Sequence, residues 1–359
     1  MRLLSLTLEQ FRNYGTLSVE FPENDLHLFL GPNGSGKTNI LEAVSLLSLT
    51  KSFLGLEEED LAQWGTEFYR ARARARTDGG EDVELEVVGQ LSPRRQKACF
   101  CNGVRTPTSR MVGRLPVITF LPQDLSLFSG PPADRRQYID RLLCQVSPDY
   151  AQSLTDYQRI LKQRNALLKD IAQGRASAAG LDPWDQQLAE QGSVLLALRR
   201  ELMETFNLTL RDEIRALGET WDDVRMHYET AAGELLPLLA QARERDLLLQ
   251  STSVGPHRDD WTMLVDGRPI FSFASRGQQR VAVLALLFLE TSYLEVRRGE
   301  KPVVLLDDIF SELDADHRRR LLEAFTGHQV LLTATEMPVE QGAFTGSVRT
   351  VNGGSILPL

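Results

Sequence analysis

Apolar and polar residues alternate at the start of the chain, with the two-residue period of a β-strand. Leucines occupy every second position of Leu4–Glu9, and a second apolar run follows at Leu26–Leu30. A glycine-rich turn comes next, and Thr38–Leu49 has the length and composition of a helix. Alternation in Phe68–Arg76 predicts another strand, and Asn102-Gly103 predicts a hairpin turn. This part of the chain is therefore predicted to form strands around one helix.

The pattern becomes helical from about Ala133 to Gln250. Apolar residues recur with heptad-like spacing over about two and a half heptads; they are Leu154, Tyr157, Leu161, Leu168 and Ile171. Arg164 stands at a position where the repeat expects an apolar residue, and small and polar residues follow in Gly174–Gly180. These features predict a compact helical lobe with a short coiled-coil-like hairpin, and not a long coiled coil.

Strands return after Gly255-Pro256. The predicted elements, in chain order, are a hairpin of Trp261–Val265 and Arg268–Phe273 around Asp266-Gly267, a helix Gly277–Arg297, a strand Val303–Leu306, a helix after Asp314 and a strand Val330–Thr333. The predicted fold class is therefore α/β. Residues 1–120 and 251–359 form one domain with an antiparallel β subdomain, and residues 121–250 form a helical lobe inserted between its halves.

Composition indicates an ordinary globular protein of 359 residues, with 42% hydrophobic and 25% charged residues. The formal net charge of −9 gives no support for nucleic-acid binding by the chain as a whole, although a local basic stripe remains compatible with it. Three cysteines and five histidines without metal-ligand spacing predict no disulfide framework and no structural metal. The longest apolar run, Val281–Leu289, is too short to span a bilayer, and the expected location is cytoplasmic.

The strongest chemical signal is the octapeptide Gly31–Thr38, GPNGSGKT, which fits the pattern G-x-x-x-x-G-K-[ST]. Such a loop turns backbone N–H groups toward phosphates and places a helix N-terminus beside them. Lys37 would reach the β and γ phosphates, and Thr38 would hold Mg²⁺. The loop's predicted nucleotide-binding residues are Asn33, Gly34, Ser35, Gly36, Lys37, Thr38 and Asn39. A chance glycine-rich turn is the alternative, and the strand–loop–helix context disfavours it.

Two carboxylates follow an apolar strand far downstream. Asp307 and Asp308 come directly after Val303–Leu306. Asp307 is predicted to bind Mg²⁺, and Asp308 to polarise the attacking water. A solvated strand end is the alternative for this motif taken alone, and the phosphate loop upstream favours the catalytic interpretation.

A third motif is a serine and a glycine at a helix start, Ser275-Arg276-Gly277-Gln278. In isolation it would be read as a helix N-cap. Its order after the phosphate loop and before the strand with Asp307 and Asp308 is that of ABC-type ATPases. In that resemblance Ser275 and Gly277, with Gln278 beside them, serve the γ-phosphate bound by a partner subunit.

Together these residues resemble the RecF family of bacterial recombination mediator ATPases over essentially the whole chain. The matching stretches include Phe11–Tyr14, Asn39–Ala43, Leu121–Asp124, Gly130–Arg136, Leu161–Asn165, Pro183–Asp185, Gly255–Asp260 and Leu306–Asp314. The stretches Leu161–Asn165 and Gly255-Pro256-His257 serve no purpose common to all ATPases, so they make the resemblance specific.

The resemblance implies an ABC/SMC-type ATPase head without the long coiled coil. It also implies ATP and Mg²⁺ as cofactors, ATP-dependent homodimerisation on DNA, slow hydrolysis, and a role with RecR and RecO in loading RecA at gaps. Gln123 is expected to sense Mg²⁺ and the γ-phosphate, and Arg12 and Asn13 are expected near the nucleotide. The expected DNA is a duplex or a duplex/single-strand junction contacted through its backbone, which places the protein at the nucleoid.

Two positions depart from the ATPase pattern. Ser52-Phe53-Leu54 has leucine where relatives often carry arginine, which leaves a phosphate role for that position without support. Thr335 stands where ABC transporters place a histidine, and it can form hydrogen bonds but cannot act as an imidazole.

Candidate DNA contacts are less specific. Arginines alternate along Phe68–Arg76 at positions 70, 72, 74 and 76, which is either a track for DNA phosphates or an edge strand protected by charge. The clusters Arg135-Arg136 and Arg318–Arg320 are open to the same two interpretations.

Three other classes of protein fit the sequence less well. An ABC transporter subunit is disfavoured because the segment between Gln123 and Ser275 is too long for a transporter's helical subdomain. A structural SMC-like protein needs sustained heptads, which the chain lacks. A metabolic kinase would have no use for the motif at Ser275.

Overall fold

The computed structural model describes residues 1–337 and 345–358, which divide into two compact units. The first unit combines Met1–Ser126 with Val283–Leu359, and the second is Leu127–Ala282. The first unit therefore contains both ends of the chain. Residues 251–282 belong to the second unit, whereas the sequence pattern assigned them to the ATPase domain.

The first unit contains an antiparallel sheet of six strands in the order β2-β1-β4-β5-β6-β7. Its strands are β1 (Arg2–Phe11), β2 (Tyr14–Glu20), β4 (Phe68–Arg76), β5 (Asp82–Gln90), β6 (Gln96–Cys101) and β7 (Val104–Thr106). The alternation in the sequence sorts the residues onto two faces, so that Leu6, Leu8 and Ala73 are buried in the core and Arg72 lies on the exposed face. Asn102-Gly103 forms the predicted hairpin turn between β6 and β7.

The second sheet of this unit has the order β15-β14-β3-β13-β12-β8 and is parallel except for β15. Its strands are β3 (Leu26–Leu30), β8 (Val117–Phe120), β12 (Val303–Leu306), β13 (Val330–Ala334), β14 (Ser347–Asn352) and β15 (Ser355–Pro358). Helices of this unit are α1 (Lys37–Leu49), α2 (Glu58–Leu61), α3 (Thr108–Met111) and α9 (Ala315–Ala324). The strands β8 and β12 are buried throughout, which explains their uninterrupted apolar sequences.

The second unit is mainly helical. Its elements are α4 (Pro132–Val146), α5 (Pro148–Ala172), α6 (Asp182–Ala216), α7 (Leu235–Leu249) and a three-stranded antiparallel sheet of β9 (Val224–Glu229), β10 (Asp260–Val265) and β11 (Arg268–Pro269). Helix α8 (Arg276–Arg298) begins in this unit and ends in the first.

One local prediction needs correction. The predicted strand Arg268–Phe273 ends at Pro269, because Ile270–Ser272 turns into a single 3-10 turn. In α5 the heptad positions Tyr157, Arg164 and Leu168 are buried, whereas Leu154 and Leu161 are only half-buried. The residue that interrupts the heptads is thus part of the packed face.

Arg164 is fully buried and forms two ion pairs within the helical unit. Its Nε lies 2.6 Å from Asp185 Oδ1 of α6, and its Nη1 lies 2.7 Å from Asp246 Oδ2 of α7. Nη1 also donates to Thr252 Oγ1 at 2.8 Å, and Asn165 Oδ1 accepts from the Thr252 hydroxyl at 2.7 Å. These bonds join three helices through charges that water does not reach. They give a structural role to two of the stretches that match the family, Leu161–Asn165 and Pro183–Asp185.

A second buried arginine has a similar role. Arg199 of α6 donates to Asp140 Oδ1 at 2.6 Å, to the Tyr150 hydroxyl at 2.8 Å and to the Pro256 carbonyl at 2.8 Å. The surrounding groups hold the pKa of Arg199 well above its ordinary value, chiefly through Asp140 acting against the effect of burial. The sequence around Gly255-Pro256 is thereby tied to α6.

No helix among the described residues is long and apolar enough to cross a membrane.

Replacing Arg164 with methionine should lower the free energy of unfolding by about 3–5 kcal/mol, because the buried Asp246 loses its ion pair with Arg164 and Asp185 keeps only its pair with Arg243. Urea unfolding followed by circular dichroism measures the change. The matched control is Arg159→Met in the same helix, whose exposed pair with Asp156 should contribute no more than about 1 kcal/mol. Equal stabilities of the two variants would contradict the assigned role of the network.

Candidate nucleotide site

The candidate site lies at one edge of the parallel sheet. Strands β3, β13, β12 and β8 run in the same direction, so their carboxyl ends meet at this edge. Gly31 follows β3, Asp307 follows β12, and Gln123 comes three residues after the end of β8. Open parallel sheets bind ligands at the carboxyl ends of their strands. The topology therefore brings three separate motifs of the sequence to one place.

The phosphate loop needs glycine at two positions for steric reasons. Gly36 is the N-cap of α1 with φ 107°, and a Cβ there would lie 2.4 Å from Asn13 Nδ2. A Cβ on Gly31 would lie 2.2 Å from the Val351 carbonyl oxygen. The loop is therefore pressed between the β1–β2 hairpin and β14.

Side chains of the β1–β2 hairpin fix the backbone of this loop. Asn13 Nδ2 donates to the Ser35 carbonyl at 3.1 Å, and Asn13 Oδ1 accepts from Asn39 Nδ2 at 2.8 Å. The buried Tyr14 hydroxyl donates to the Gly36 carbonyl at 3.0 Å. Asn13 thus lies beside the loop, but its amide is occupied with loop atoms. Tyr14 was not among the predicted site residues, although it belongs to the matching stretch Phe11–Tyr14.

Lys37 is the first residue of α1 and folds over its own loop. Its Nζ donates to the carbonyl oxygens of Gly31 at 2.6 Å and Pro32 at 3.0 Å. Burial lowers the pKa of Lys37, and the nearby carboxylates Asp308 and Asp307 act in the opposite direction. The side chain therefore stays within the loop with acidic groups close by.

Thr38 and Asp307 meet directly, as a shared magnesium site requires. Thr38 Oγ1 lies 2.9 Å from both Asp307 Oδ1 and Oδ2. Thr333 Oγ1 of β13 donates to Asp307 Oδ1 at 2.7 Å and accepts from the backbone N–H of Asp308 at 2.9 Å. Thr333 was not predicted as a site residue. The available signal was one hydroxyl in an otherwise apolar strand.

Asp308 adopts a left-handed backbone conformation, with φ 47°. Burial raises the pKa of its carboxyl, Lys37 lowers it, and the neighbouring Asp307 raises it. A partly buried carboxyl at the edge of a phosphate site suits the predicted role of a base toward water.

Arg12, which is expected near the nucleotide, bonds to two groups of the protein. Its Nε lies 3.1 Å from Glu42 Oε2, and its Nη1 donates to the Asp60 carbonyl at 2.8 Å. Glu42 is fully buried in α1, and burial raises its pKa while Ser52 and Arg12 lower it. Both described partners of Arg12 are protein groups, so it links α1 to the segment that includes α2.

Gln123 and Thr335 are both exposed. Gln123 lies in a 3-10 turn, Pro122–Ser126, and Thr335 follows β13 at the same sheet edge. The position of Gln123 matches the expected loop.

Ser275 and Gln278 form a reciprocal capping box at the start of α8. Gln278 N donates to Ser275 Oγ at 3.2 Å, and Ser275 N donates to Gln278 Oε1 at 3.0 Å. Ser275 and Gly277 are exposed and belong to the helical unit, whereas Lys37, Thr38, Asp307 and Asp308 come together in the first unit. The N-cap interpretation of this motif is confirmed, and it leaves the helix N-terminus open to solvent.

The residues at the loop fit a nucleoside triphosphate with Mg²⁺. Ser35 Oγ is buried without a hydrogen-bond partner among the described residues, and both crowded glycines let the loop backbone pass close to Val351 and Asn13. Over that same part of the chain, groups of three or more His, Cys, Asp or Glu able to hold a metal are absent. One hydroxyl and one carboxylate are what Mg²⁺ uses beside phosphate oxygens.

The arginine stripe on β4 lies in the middle of its sheet. Strand β4 pairs with β1 and β5, so the expectation of an edge strand is wrong. Every arginine of the stripe pairs with a carboxylate of the same sheet; the pairs are Arg70 with Glu9 and Glu86, Arg72 with Glu84 and Glu86, Arg74 with Glu20, and Arg76 with Asp82. The stripe is thus a charge-compensated cross-strand ladder, which weakens it as a phosphate track.

Arginines of the other two clusters also pair with carboxylates. Arg135 is buried against Asp260, with Nε and Nη2 each 2.7 Å from a carboxylate oxygen, so it is a structural ion pair of the helical unit. Arg319 and Arg320 pair with Asp316 on the surface of α9.

Comparison with known proteins gives one consistent result. The profile of the RecF/RecN/SMC N terminal domain matches residues 2–346. The DNA replication and repair protein RecF of Lachnoclostridium phytofermentans is 36% identical over 338 residues, with 93% of each chain covered. RecF of Moorella thermoacetica is 38% identical over 342 residues, covering 94% of this chain and 90% of its own.

Solved structures agree with the sequence comparisons. A structure of the recombination mediator protein RecF with ATP, described within the RecFOR pathway, has a TM-score of 0.91 and 28% identity, covering 100% of this chain and 97% of its own. An Smc head bound to a winged helix domain of ScpA has a TM-score of 0.56 at 14% identity, which shows a shared fold.

The predicted fold class, an ABC/SMC-type head, is confirmed by these matches, and the chain belongs to the RecF family of DNA replication and repair proteins.

Proposed function

We propose that this protein is an ATP-dependent DNA-binding protein of recombinational repair and replication restart, in which ATP joins two copies and slow hydrolysis releases them. The proposal rests on the hydrogen bonds of 2.9 Å between Thr38 Oγ1 and the Asp307 carboxylate beside the phosphate loop. The RecF structure with ATP supports ATP as the ligand.

In this proposal the backbone of Asn33–Gly36, with Asn39 behind it, surrounds the phosphates. Lys37 moves from the loop carbonyls to the β and γ phosphates, a short movement for a flexible ammonium. Thr38 and Asp307 would hold Mg²⁺, with Gln123 as a further residue toward it. Mg²⁺ supplies neutralisation of phosphate charge. Thr333 holds the Asp307 carboxylate in position.

Asp308 acts as the base that orients and polarises the attacking water. Its carboxyl is close enough to Lys37 and Asp307 for both to affect its pKa, which supports a position at the phosphates. The left-handed backbone at Asp308 and the bond from its N–H to Thr333 fix its orientation.

The pairing of two copies is proposed from the solvent-exposed start of helix α8. Ser275, Gly277 and Gln278 present a helix N-terminus whose N–H groups favour an anion. Its first residues are exposed, so the γ-phosphate bound by a second copy is a suitable partner. Each copy would then supply the loop for one nucleotide and the helix start for the other.

DNA and protein partners follow from the family. We infer contacts with the backbone of duplex DNA or of a duplex/single-strand junction, cooperation with RecR and RecO in assisting RecA at gaps, and a place at the nucleoid. The RecFOR pathway named for the similar structure supports RecR and RecO as partners. The compensated ladder on β4 favours other surfaces for the DNA.

An SMC-like structural ATPase and an ABC transporter subunit are the alternatives. Helices α5 and α6, of 25 and 35 residues, form an antiparallel pair within a compact unit. That arrangement favours a self-contained lobe over the base of a long coiled coil.

Replacing Ser275 with arginine should leave ATP binding by the monomer unchanged and abolish ATP-dependent dimerisation, because the long cation would fill the space of the partner's phosphate. Lys37→Met should lose both ATP binding and dimerisation, since it removes the positive charge at the phosphates. Equilibrium dialysis and sedimentation velocity measure the two properties. Ser177→Arg, at an exposed helix cap of the same unit, is the control. Normal dimerisation of Ser275→Arg would contradict shared sites.

Replacing Asp308 with asparagine should preserve ATP binding and dimerisation while slowing single-turnover hydrolysis by about 10²–10⁴-fold, the usual contribution of a general base. Because its pKa is raised, the wild-type rate should fall as pH drops through a value above that of an ordinary aspartate, and the variant should lack this limb. Asp316→Asn on α9 is the control. An unchanged pH profile in Asp308→Asn would exclude Asp308 as the base.

A further inference from the structure

Residues 87–123 carry charge of one sign only. The segment contains six arginines and lysines and no aspartate or glutamate, although the whole chain has a formal net charge of −9. Residues earlier in the chain compensate two of these cations, because Arg95 pairs with Glu59 and Lys97 with Glu58. Nearer the end of the segment, Arg110 and Arg114 are exposed and form no ion pair with any described residue.

Arg298, the last residue of α8, brings a third guanidinium to this segment. Its Nη2 donates to the Gly113 carbonyl at 2.9 Å, and Arg114 Nε donates to the Arg110 carbonyl at 3.3 Å. Burial lowers the pKa of Arg298, the nearby Arg114 lowers it further, and Glu300 acts in the opposite direction. Arg110, Arg114 and Arg298 are called the basic cluster below.

The charge of the basic cluster is not balanced by the carboxylate close to it. Glu300 Oε2 lies 3.3 Å from the amino group of Met1 and accepts from the backbone N–H of Asp78 at 2.8 Å. The carbonyl end of α8 stabilises Arg298 but does not account for the two arginines outside that helix. Like charges repel each other at this range, so an anion from outside the chain would stabilise the cluster.

The backbone that carries Arg114 is fixed on both sides. Gly113 N donates to the Ser48 carbonyl of α1 at 3.1 Å, and Val303 N of β12 donates to the Pro116 carbonyl at 2.9 Å. Met111 is fully buried beneath the segment. The exposed arginines are thus presented on an ordered surface of the first unit.

The basic cluster lies at the other edge of the parallel sheet from the candidate nucleotide site. Pro116 and Val303 stand at the amino ends of β8 and β12, whereas Asp307 follows the carboxyl end of β12. Helix α1 connects the two edges, since Lys37 begins it at the phosphate loop and Ser48 contacts the segment of the cluster. At about 1.5 Å per residue, these two residues lie roughly 16 Å apart along the helix.

We propose that the basic cluster binds the phosphate backbone of duplex DNA. The inference rests on the proposed function and names a surface through which the ATP-bound protein would hold its DNA. Guanidinium groups bind phosphate oxygens through paired N–H groups, and such contacts do not depend on base sequence. Duplex DNA carries about one negative charge per 1.7 Å of helix axis, so it can supply a phosphate to each of several neighbouring arginines.

The position of the cluster also suits this ligand. A protein that holds ATP and DNA at the same time needs two anion sites that do not compete, and the two edges of one sheet provide them. The sequence signal for this surface was a lack of carboxylates over residues 87–123, and not a run of adjacent arginines.

The experiment measures the affinity for a fluorescent DNA duplex at several salt concentrations, by anisotropy with ATP and Mg²⁺ present. The double variant Arg110→Gln/Arg114→Gln should bind about 10–100-fold more weakly near 0.1 M salt. Its slope of log affinity against log salt concentration should be smaller by about 2, because two phosphate contacts are lost. Arg72→Gln/Arg74→Gln removes two exposed charges from the compensated ladder of the same unit, and as the matched control it should bind like the wild type.

A second measurement separates the cluster from the ATP switch. In sedimentation velocity without DNA, Arg110→Gln/Arg114→Gln should dimerise with ATP as the wild type does, because the nucleotide site lies at the other edge of the sheet.

Each other outcome overturns the inference in a recognisable way. Wild-type affinity and salt slope in the double variant would remove the cluster from the DNA contact and leave the proposed ATP switch intact. Equal losses in the double variant and its control would assign the effect to net charge alone. Loss of dimerisation would assign the cluster to the contact between copies. Failure of the wild type to bind duplex DNA with any nucleotide would reject the proposed function itself.

Discussion

The common direction of strands β3, β13, β12 and β8 is the constraint on which the candidate site depends. Each strand alone is an apolar segment that ends in a polar loop. Because all four are parallel neighbours, their carboxyl ends deliver the phosphate loop, Thr333, Asp307 and the turn with Gln123 to one edge. Residues separated by some 270 positions in the sequence, such as Thr38 and Asp307, thereby come within hydrogen-bond distance.

The β1–β2 hairpin of the antiparallel sheet holds the phosphate loop in place. Asn13 and Tyr14 bond to the loop backbone, and the lack of a Cβ at Gly36 is what allows them to approach. The antiparallel sheet thus supports the loop of the candidate nucleotide site, which gives the matching stretch Phe11–Tyr14 a structural role. In the helical unit the buried arginines have another role, because Arg164 and Arg199 join helices and Arg135 joins α4 to β10 through ion pairs. Such pairs are costly to bury, but once formed they penalise any other packing of the same helices.

Much of the fold could be predicted from the sequence where a single period or a turn signal decides the structure. Leu26–Leu30 and Val303–Leu306 are strands with the predicted bounds, and Asp314 caps α9 as expected. Prediction failed where the burial of a residue or the position of a strand depends on partners far away in the sequence. The burial of Arg164 depends on Asp185 and Asp246 in other helices, and the central position of β4 depends on its pairing with β1. The ion pair of Arg12 with Glu42 could not be predicted either, because Glu42 lies in a helix whose sequence gives no sign of a partner.

The central claim is that ATP joins two copies of this chain on DNA. Sedimentation velocity of the purified protein with ADP, with ATP, and with ATP and duplex DNA tests it most directly. The account predicts a monomer with ADP, a dimer with ATP, and a dimer that sediments with the DNA when both are present. A monomer under all three conditions, or a dimer that ignores the nucleotide, would contradict the shared site and the role of Ser275 and Gly277 in it.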